Sequence, residues 1–143
     1  MSDNASHIFF HTEEIIFKLA NQPQIESWIQ QSILLENKEI GDLNFIFCSD
    51  NYLLKLNQQY LSHNTFTDII TFNYVDKSII SGDVFISVER VTENASQSSI
   101  DFQKELSRVI IHGILHLIGY NDKTNEEAQE IRAKEDFYLT LLP

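Results

Sequence analysis

The chain is poor in several things, and each shortage excludes something. It has one cysteine, Cys48, so no internal disulfide braces it. In its apolar setting, Phe45-Ile46-Phe47-Cys48, the thiol reads as a small core residue rather than a nucleophile. Two prolines and four glycines in 143 residues exclude a collagen-like or low-complexity chain. No apolar run approaches the roughly 20 residues that cross a bilayer. The segment Met1–His7 lacks both a basic and an apolar stretch, so no signal peptide is expected. Basic side chains are scarce, 10 against 21 acidic ones, for a formal net charge of -11. Such a field repels phosphate and opposes tight, sequence-independent nucleic-acid binding. A nucleic-acid function would therefore need a local basic groove, or a metal that meets one phosphate. These features together predict a cytoplasmic protein with no membrane partner.

What is present suits one domain over residues 1–143. The hydrophobic fraction is 43%, with ten Phe, enough to fill a core. His7–His11 and Ile15–Phe17 read as short strands or one bent strand. Pro23–Leu35 has helical spacing through Ile25, Trp28, Ile29 and Ile33. Asp42–Cys48 alternates into a strand, after which Ser49 or Asp50 caps a helix running to Tyr60. Ser62–Thr67 reads as a loop, and Asp68–Tyr74 and Asp83–Val88 as strands joined by a hairpin connection over Asp76–Gly82. Asp101 caps a long helix through Ile118, and Thr124 or Asn125 opens a last one through Leu139. The mixed order predicts an α/β or α+β domain, a small sheet with helices packed against it.

The informative segment is Val109–Asp122. His112 and His116 stand four apart on a helix, on one face and about 6 Å apart along its axis. Five His in this chain make one such pair unexceptional by chance, and a buried His is ordinarily a hydrogen-bonded structural residue. The context changes the reading. Gly119, three residues on, suits a left-handed helix stop that lets the chain turn back. Asp122 then offers an oxygen to the same ion; the alternative is a solvated Asp or a cap for the next helix. The set His-x-x-x-His-x-x-Gly-x-x-Asp predicts one zinc-class ion per chain, at the end of a buried helix. Three protein ligands leave a position for water, the catalytic rather than the structural pattern. The spacing is similar to that of metzincin proteases, but their general-base Glu is here Gly113, which disfavours peptide hydrolysis. A mid-helix Gly costs roughly 1 kcal/mol against Ala. Either close approach by a substrate or backbone, or packing of helix on sheet, would account for it.

With this helix in hand, the chain resembles the YbeY family of bacterial rRNA maturation factors, described as metal-dependent endoribonucleases. Leu56-Asn57-Gln58-Gln59-Tyr60 and Thr67-Asp68-Ile69-Ile70-Thr71-Phe72 resemble that family's Leu-Asn-x-x-Tyr-Arg and Pro-Thr-Asp-Val-Leu-Ser-Phe. Gly82-Asp83-Val84 resembles its Gly-Asp-Ile strand. Order and spacing match over residues 45–122. There are three departures: Asp122 stands at the third histidine, preceded by Asn121 where Asp is usual; Leu61 stands at the arginine; and Phe66 stands at the proline.

The resemblance implies a mixed sheet of about four strands, a single-strand endoribonuclease, and a role in small-subunit (16S) rRNA maturation and ribosome quality control. It implies rRNA or the small ribosomal subunit as partner, with ribosomal-protein contacts and no small-molecule cofactor. The expected site is His112, His116 and Asp122 around Zn2+, with His112, His116 and Arg108 serving catalysis. Arg108, one turn before His112, would replace the cation lost at Leu61; the alternative is a salt bridge. Asp68 would either orient a ligand His or cap a strand. His7, His11 and His63 read as surface or loop residues. Two other functions compete with the nuclease. One is a non-catalytic ribosome-assembly factor with a structural metal, and the other a metallohydrolase on another substrate.

Overall fold

The computed structural model describes residues 7–61 and 67–143. The polar segment at positions 1–6 and most of the expected loop, with His63 and Phe66, lie outside them. The elements run β1 (Ile8–Glu13), α1 (Gln22–Leu35), β2 (Glu39–Cys48), α2 (Asp50–Leu61), β3 (Ile69–Asn73), β4 (Ile79–Ser87), α3 (Val88–Gln97), α4 (Phe102–Ile118) and α5 (Asn125–Thr140). The domain is mixed α/β, as its sequence predicts. Its four strands are ordered β1-β2-β4-β3, with β1, β2 and β4 parallel and β3 antiparallel to β4. No helix among the described residues is long and apolar enough to cross a membrane.

Strand alternation divides the apolar residues between two faces. Phe45, Phe47, Val84 and Ile86 point into the larger core, which Ile25, Trp28, Val91, Ile110, Ile114, Ile131 and Tyr138 fill from α1, α3, α4 and α5. On the other face Cys48 and Ile70, with Phe72 and Phe85, meet Leu53 of α2. Cys48 is fully buried, and burial pushes its thiol up to about 12. It is a core residue, not a nucleophile.

Differences from the sequence-based boundaries have local causes. Ile15–Phe17 forms no strand, because Glu14 adopts φ 60 and ends β1, leaving Ile16 fully exposed. The hairpin is tighter than Asp76–Gly82: Lys77 at φ 56 closes a turn bridged by Asp76 and Ile79, and β4 starts at Ile79. Helix α3 has no counterpart in the sequence reading. It is short and mostly polar, with Val88, Val91 and Ala95 on its buried stripe and Ser87 accepting from the Arg90 N–H as cap.

Candidate metal centre

Helix α4 carries the site. Asp101 caps its start, its carboxylate accepting from the Gln103 N–H, and Gly119 ends it at φ 127. The Gly119 N–H reaches the His116 carbonyl and the Tyr120 N–H the Leu115 carbonyl, each within 3.1 Å. This turn returns the chain over the helix end. Asp122 then lies with its Oδ2 3.5 Å from His112 Nε2 and 3.4 Å from His116 Nε2, and the two imidazole nitrogens are 2.9 Å apart. The three candidate ligand atoms fall within 4.8 Å of one another. Two donors on a tetrahedral zinc are separated by about 3.4 Å, from bond lengths near 2.0–2.1 Å. The two His–Asp distances match that spacing, and the His–His pair, at 2.9 Å, is about half an ångström short of it.

Gly113, between the histidines, answers to packing. A Cβ there would come within 2.9 Å of Ile69 Cδ1 and 3.1 Å of Val84 Cγ1. The residue lets α4 lie close on β3 and β4, and so fixes how far the histidines stand from the edge of the sheet.

Glu135 of α5 completes the arrangement. Only 3% exposed, it accepts from His112 Nδ1 at 2.5 Å and from Arg108 Nη1 at 2.9 Å. Binding Nδ1 leaves Nε2 of His112 turned toward His116 and Asp122, as a ligand requires. Burial by itself would depress the His112 imidazole. The Glu135 hydrogen bond and the charges of Glu135, Asp122 and Asp68 outweigh it and hold the ring above its usual value. Burial likewise opposes ionisation of Glu135, but its bonds to His112 and Arg108 prevail and lower its pKa.

Arg108 also reaches Asp136, Nη2 to Oδ1 at 2.7 Å. The salt-bridge alternative is thus what the structure displays for this residue, although Arg108 lines a cleft beside His112. Asp68 stands at the start of β3, where its carbonyl accepts from Ser87 and its carboxylate faces Asn94 Nδ2 at 3.5 Å. Burial pushes its carboxyl up, against the charges of His112 and Arg90. The hydrogen bond that orients His112 comes from Glu135 instead. His7 and His11 are surface residues paired with Asp42 and Asn44.

Two clefts meet at this centre. One, of about 750 Å³, runs between α4 and α5 past Arg108 and Arg132. The other, of about 550 Å³, lies over the β3 edge, with Asn57, Leu61, Thr67 and Thr71 opposite the histidines.

The family model described as Endoribonuclease YbeY matches residues 8–142. The chain belongs to the YbeY family. It is 50% identical over 135 residues to Endoribonuclease YbeY of Amoebophilus asiaticus, covering 94% of this chain and 92% of the relative. Against Endoribonuclease YbeY of Flavobacterium psychrophilum it is 48% identical over 128 residues, covering 90% and 91%. A solution structure of a Thermotoga maritima protein superposes with a TM-score of 0.68 at 26% identity, over 94% of this chain and 88% of that one. YbeY relatives carry the name of an endoribonuclease, and membership places this chain among the hydrolytic enzymes. Within that frame the sequence reading missed Glu135. The available signal was a carboxylate on the apolar stripe Ile131–Glu135–Tyr138, where burial demands a partner.

Proposed function

We infer that the protein is a zinc-dependent endoribonuclease. It cuts single-stranded RNA during small-subunit (16S) rRNA maturation and ribosome quality control in the cytoplasm, in contact with the small subunit and its proteins. The observation that carries the reading is the convergence of His112, His116 and Asp122, with His112 oriented by a buried, charge-compensated Glu135. Two imidazoles and one carboxylate suit a zinc-class ion, and such an ion would serve as a Lewis acid toward a phosphodiester and acidify water.

The chain's own residues prepare the site. Glu135 fixes the His112 ring and tautomer, and Arg108 cancels the charge that Glu135 brings into the interior. Asp122, with a side chain 44% exposed, supplies the oxygen from the solvent side and leaves the centre open to both clefts. The β3-edge cleft, of about 550 Å³, shares His112, His116 and Asp122 with this centre.

The test uses the purified chain. Metal content should be near one zinc per chain, and a single-stranded RNA should be cut. His116→Ala should lose both the metal and the cleavage. RNA binding without cleavage by the metal-loaded wild type would favour the assembly-factor alternative. A peptidase activity dependent on His116, without RNA cleavage, would reverse the reading.

A further inference from the structure

An RNA enzyme of net charge -11 raises the question of how the substrate is held. The cleft over the β3 edge sharpens it, since among the described residues none that lines it is Lys or Arg. Positions 62–66, between α2 and β3, contribute no Lys or Arg to the sequence either. In the cleft between α4 and α5 the basic groups are already committed to acids. Arg108 is held by Glu135 and Asp136, and Arg132 lies 3.9 Å from Glu135 in a wall that also includes Glu105. Phosphate neutralisation by side chains is therefore a poor source of affinity here.

A different source stands at the end of α2, beside the residues that line the β3-edge cleft. Tyr60 is next to Leu61, a cleft residue at the end of α2, and is 59% exposed. Its ring is held in place: it meets Phe72 of β3 edge-to-face at 5.8 Å, and Phe72 meets Phe85 in the same way at 5.7 Å. Phe85 and Phe72 are in turn packed against the small core of Cys48, Leu53 and Ile70. Phe72 shares the α2 face of β3 with Ile70, a cleft residue, and Thr71 lines the same cleft from the opposite face. An exposed aromatic ring anchored by its neighbours and set beside a cation-free cleft is what unstacked RNA bases recognise, because every base presents a π-face.

The backbone adds to this. Pairing of Ser87 with Asp68 and of Tyr74 with Ser81 turns positions 68, 70, 72 and 74 toward β4. Ile69, Thr71 and Asn73 therefore present their amide groups to the outer edge, and Ile69 and Thr71 share the cleft with the histidines.

We propose that Tyr60, backed by Phe72, is a stacking platform for a base flanking the cleaved phosphodiester, and that the strand crosses the β3 edge to reach the centre. Single-stranded RNA is thus recognised by stacking and neutral contacts more than by cations. The proposal rests on the endoribonuclease reading.

The test measures kcat/KM of the metal-loaded full chain on a short single-stranded RNA. The same RNA is also made with one abasic nucleotide at each position around the cut. Tyr60→Ala should lower kcat/KM about 5- to 150-fold on intact RNA, mainly through KM, the range expected for loss of one base–aromatic stack. Tyr60→Phe should restore it. On the RNA abasic at the stacked position, wild type and Tyr60→Ala should be alike. The dependence of log KM on log salt should be shallow, about one or two phosphate contacts' worth. Equal cleavage by Tyr60→Ala and wild type on intact RNA would overturn the platform. So would a loss of the same size on every abasic RNA, which would mark a structural role. A steep salt slope unchanged by Tyr60→Ala would assign recognition to cations and also overturn it. Absence of any His116-dependent RNA cleavage by the wild type would instead overturn the endoribonuclease reading, and the platform with it.

Discussion

Glu135→Gln is the substitution that asks most of the metal centre. It keeps the side chain's shape and removes one negative charge from a site that is 3% exposed. A Gln oxygen can still accept from His112 or from Arg108, but without the charge that strengthens both bonds. Arg108 retains Asp136 at 2.7 Å, so its guanidinium is not left without an acid. The stability loss should accordingly fall below the roughly 3–5 kcal/mol typical of breaking a fully buried ion pair.

The metal should feel more. Removing the carboxylate behind a ligating His typically costs about 10- to 100-fold in affinity, because the ring is both less basic and less fixed. The pH dependence separates this cause from a general loosening. In the wild type Glu135 holds His112 above its usual pKa, so as pH falls the ring takes up a proton early and excludes the metal. With a neutral amide in place of the carboxylate, the burial that opposes charging is less well opposed, and protonation sets in at lower pH. The gap between the two proteins should thus be widest above the raised His112 value, where neither ring is protonated, and should narrow as pH falls through it. Zinc affinity by chelator competition at several pH values, beside thermal unfolding of both proteins, reads this out. Equal affinities at the alkaline end would refute the orienting role of Glu135. A gap that does not change with pH would refute its effect on the ring's proton.

Other outcomes are expected. Asp122→Ala should weaken zinc by more than the roughly 10- to 100-fold of an orienting residue, whereas Asp122→His should bind it at least as tightly; chelator competition distinguishes them, and unchanged affinity in Asp122→Ala would remove Asp122 from the ligand set. Gly82→Ala should cost about 1–3 kcal/mol by urea unfolding, because its Cβ would lie 2.6 Å from the Phe72 carbonyl and 2.9 Å from Leu117. Glu36 resists ionisation through burial, yet bonds from Tyr138, Tyr120 and Lys134 lower its pKa below the ordinary 4.5, so its stabilisation is present above that value and is lost as pH falls through the depressed one. Glu36→Gln should therefore cost about 2 kcal/mol at neutral pH and flatten the acid limb of the stability profile. Stripping the metal with a chelator should abolish RNA cleavage and weaken RNA binding measured by fluorescence anisotropy, with zinc restoring both.

How much of this was readable in advance depended on range along the chain. The α4 segment declares itself locally: an Asp at the cap, an apolar run, two His at helical spacing and a Gly at the stop are all within about twenty residues, and the turn that brings Asp122 back is a property of that same stretch. The β2 and β3 strands were legible for the same reason. Glu135 was not, because its role exists only once α5 lies on α4 and brings it against His112 from 23 positions away. Helix α3 was hidden by a stripe of only three buried residues in a mostly polar segment. Ile15–Phe17 looked like a strand by composition, but the left-handed Glu14 turned the chain off the sheet before it. Gly113 stood undecided between substrate and packing until Ile69 and Val84 were placed under it.

The charge of the chain and the chemistry of its substrate are reconciled only locally. Around the centre, the charge of Glu135 is met by Arg108. Two neutral imidazoles and the Asp122 carboxylate sum to a single negative charge, so a divalent ion among them leaves the centre net positive. At about 4 Å and an effective dielectric near 20, one unit charge attracts another by roughly 4 kcal/mol, and the attraction is screened within about 8–10 Å at physiological salt. A field of that reach selects the one phosphate that arrives at the centre and leaves the rest of the strand facing an acidic surface. Recognition of the flanking nucleotides then falls to groups indifferent to charge, which is where the exposed ring of Tyr60 and the free edge of β3 stand. Leu61, where the resemblance to the family places an arginine, fits the same division: near the phosphate an ion would supply the positive charge, and among the described residues lining the cleft none is Lys or Arg.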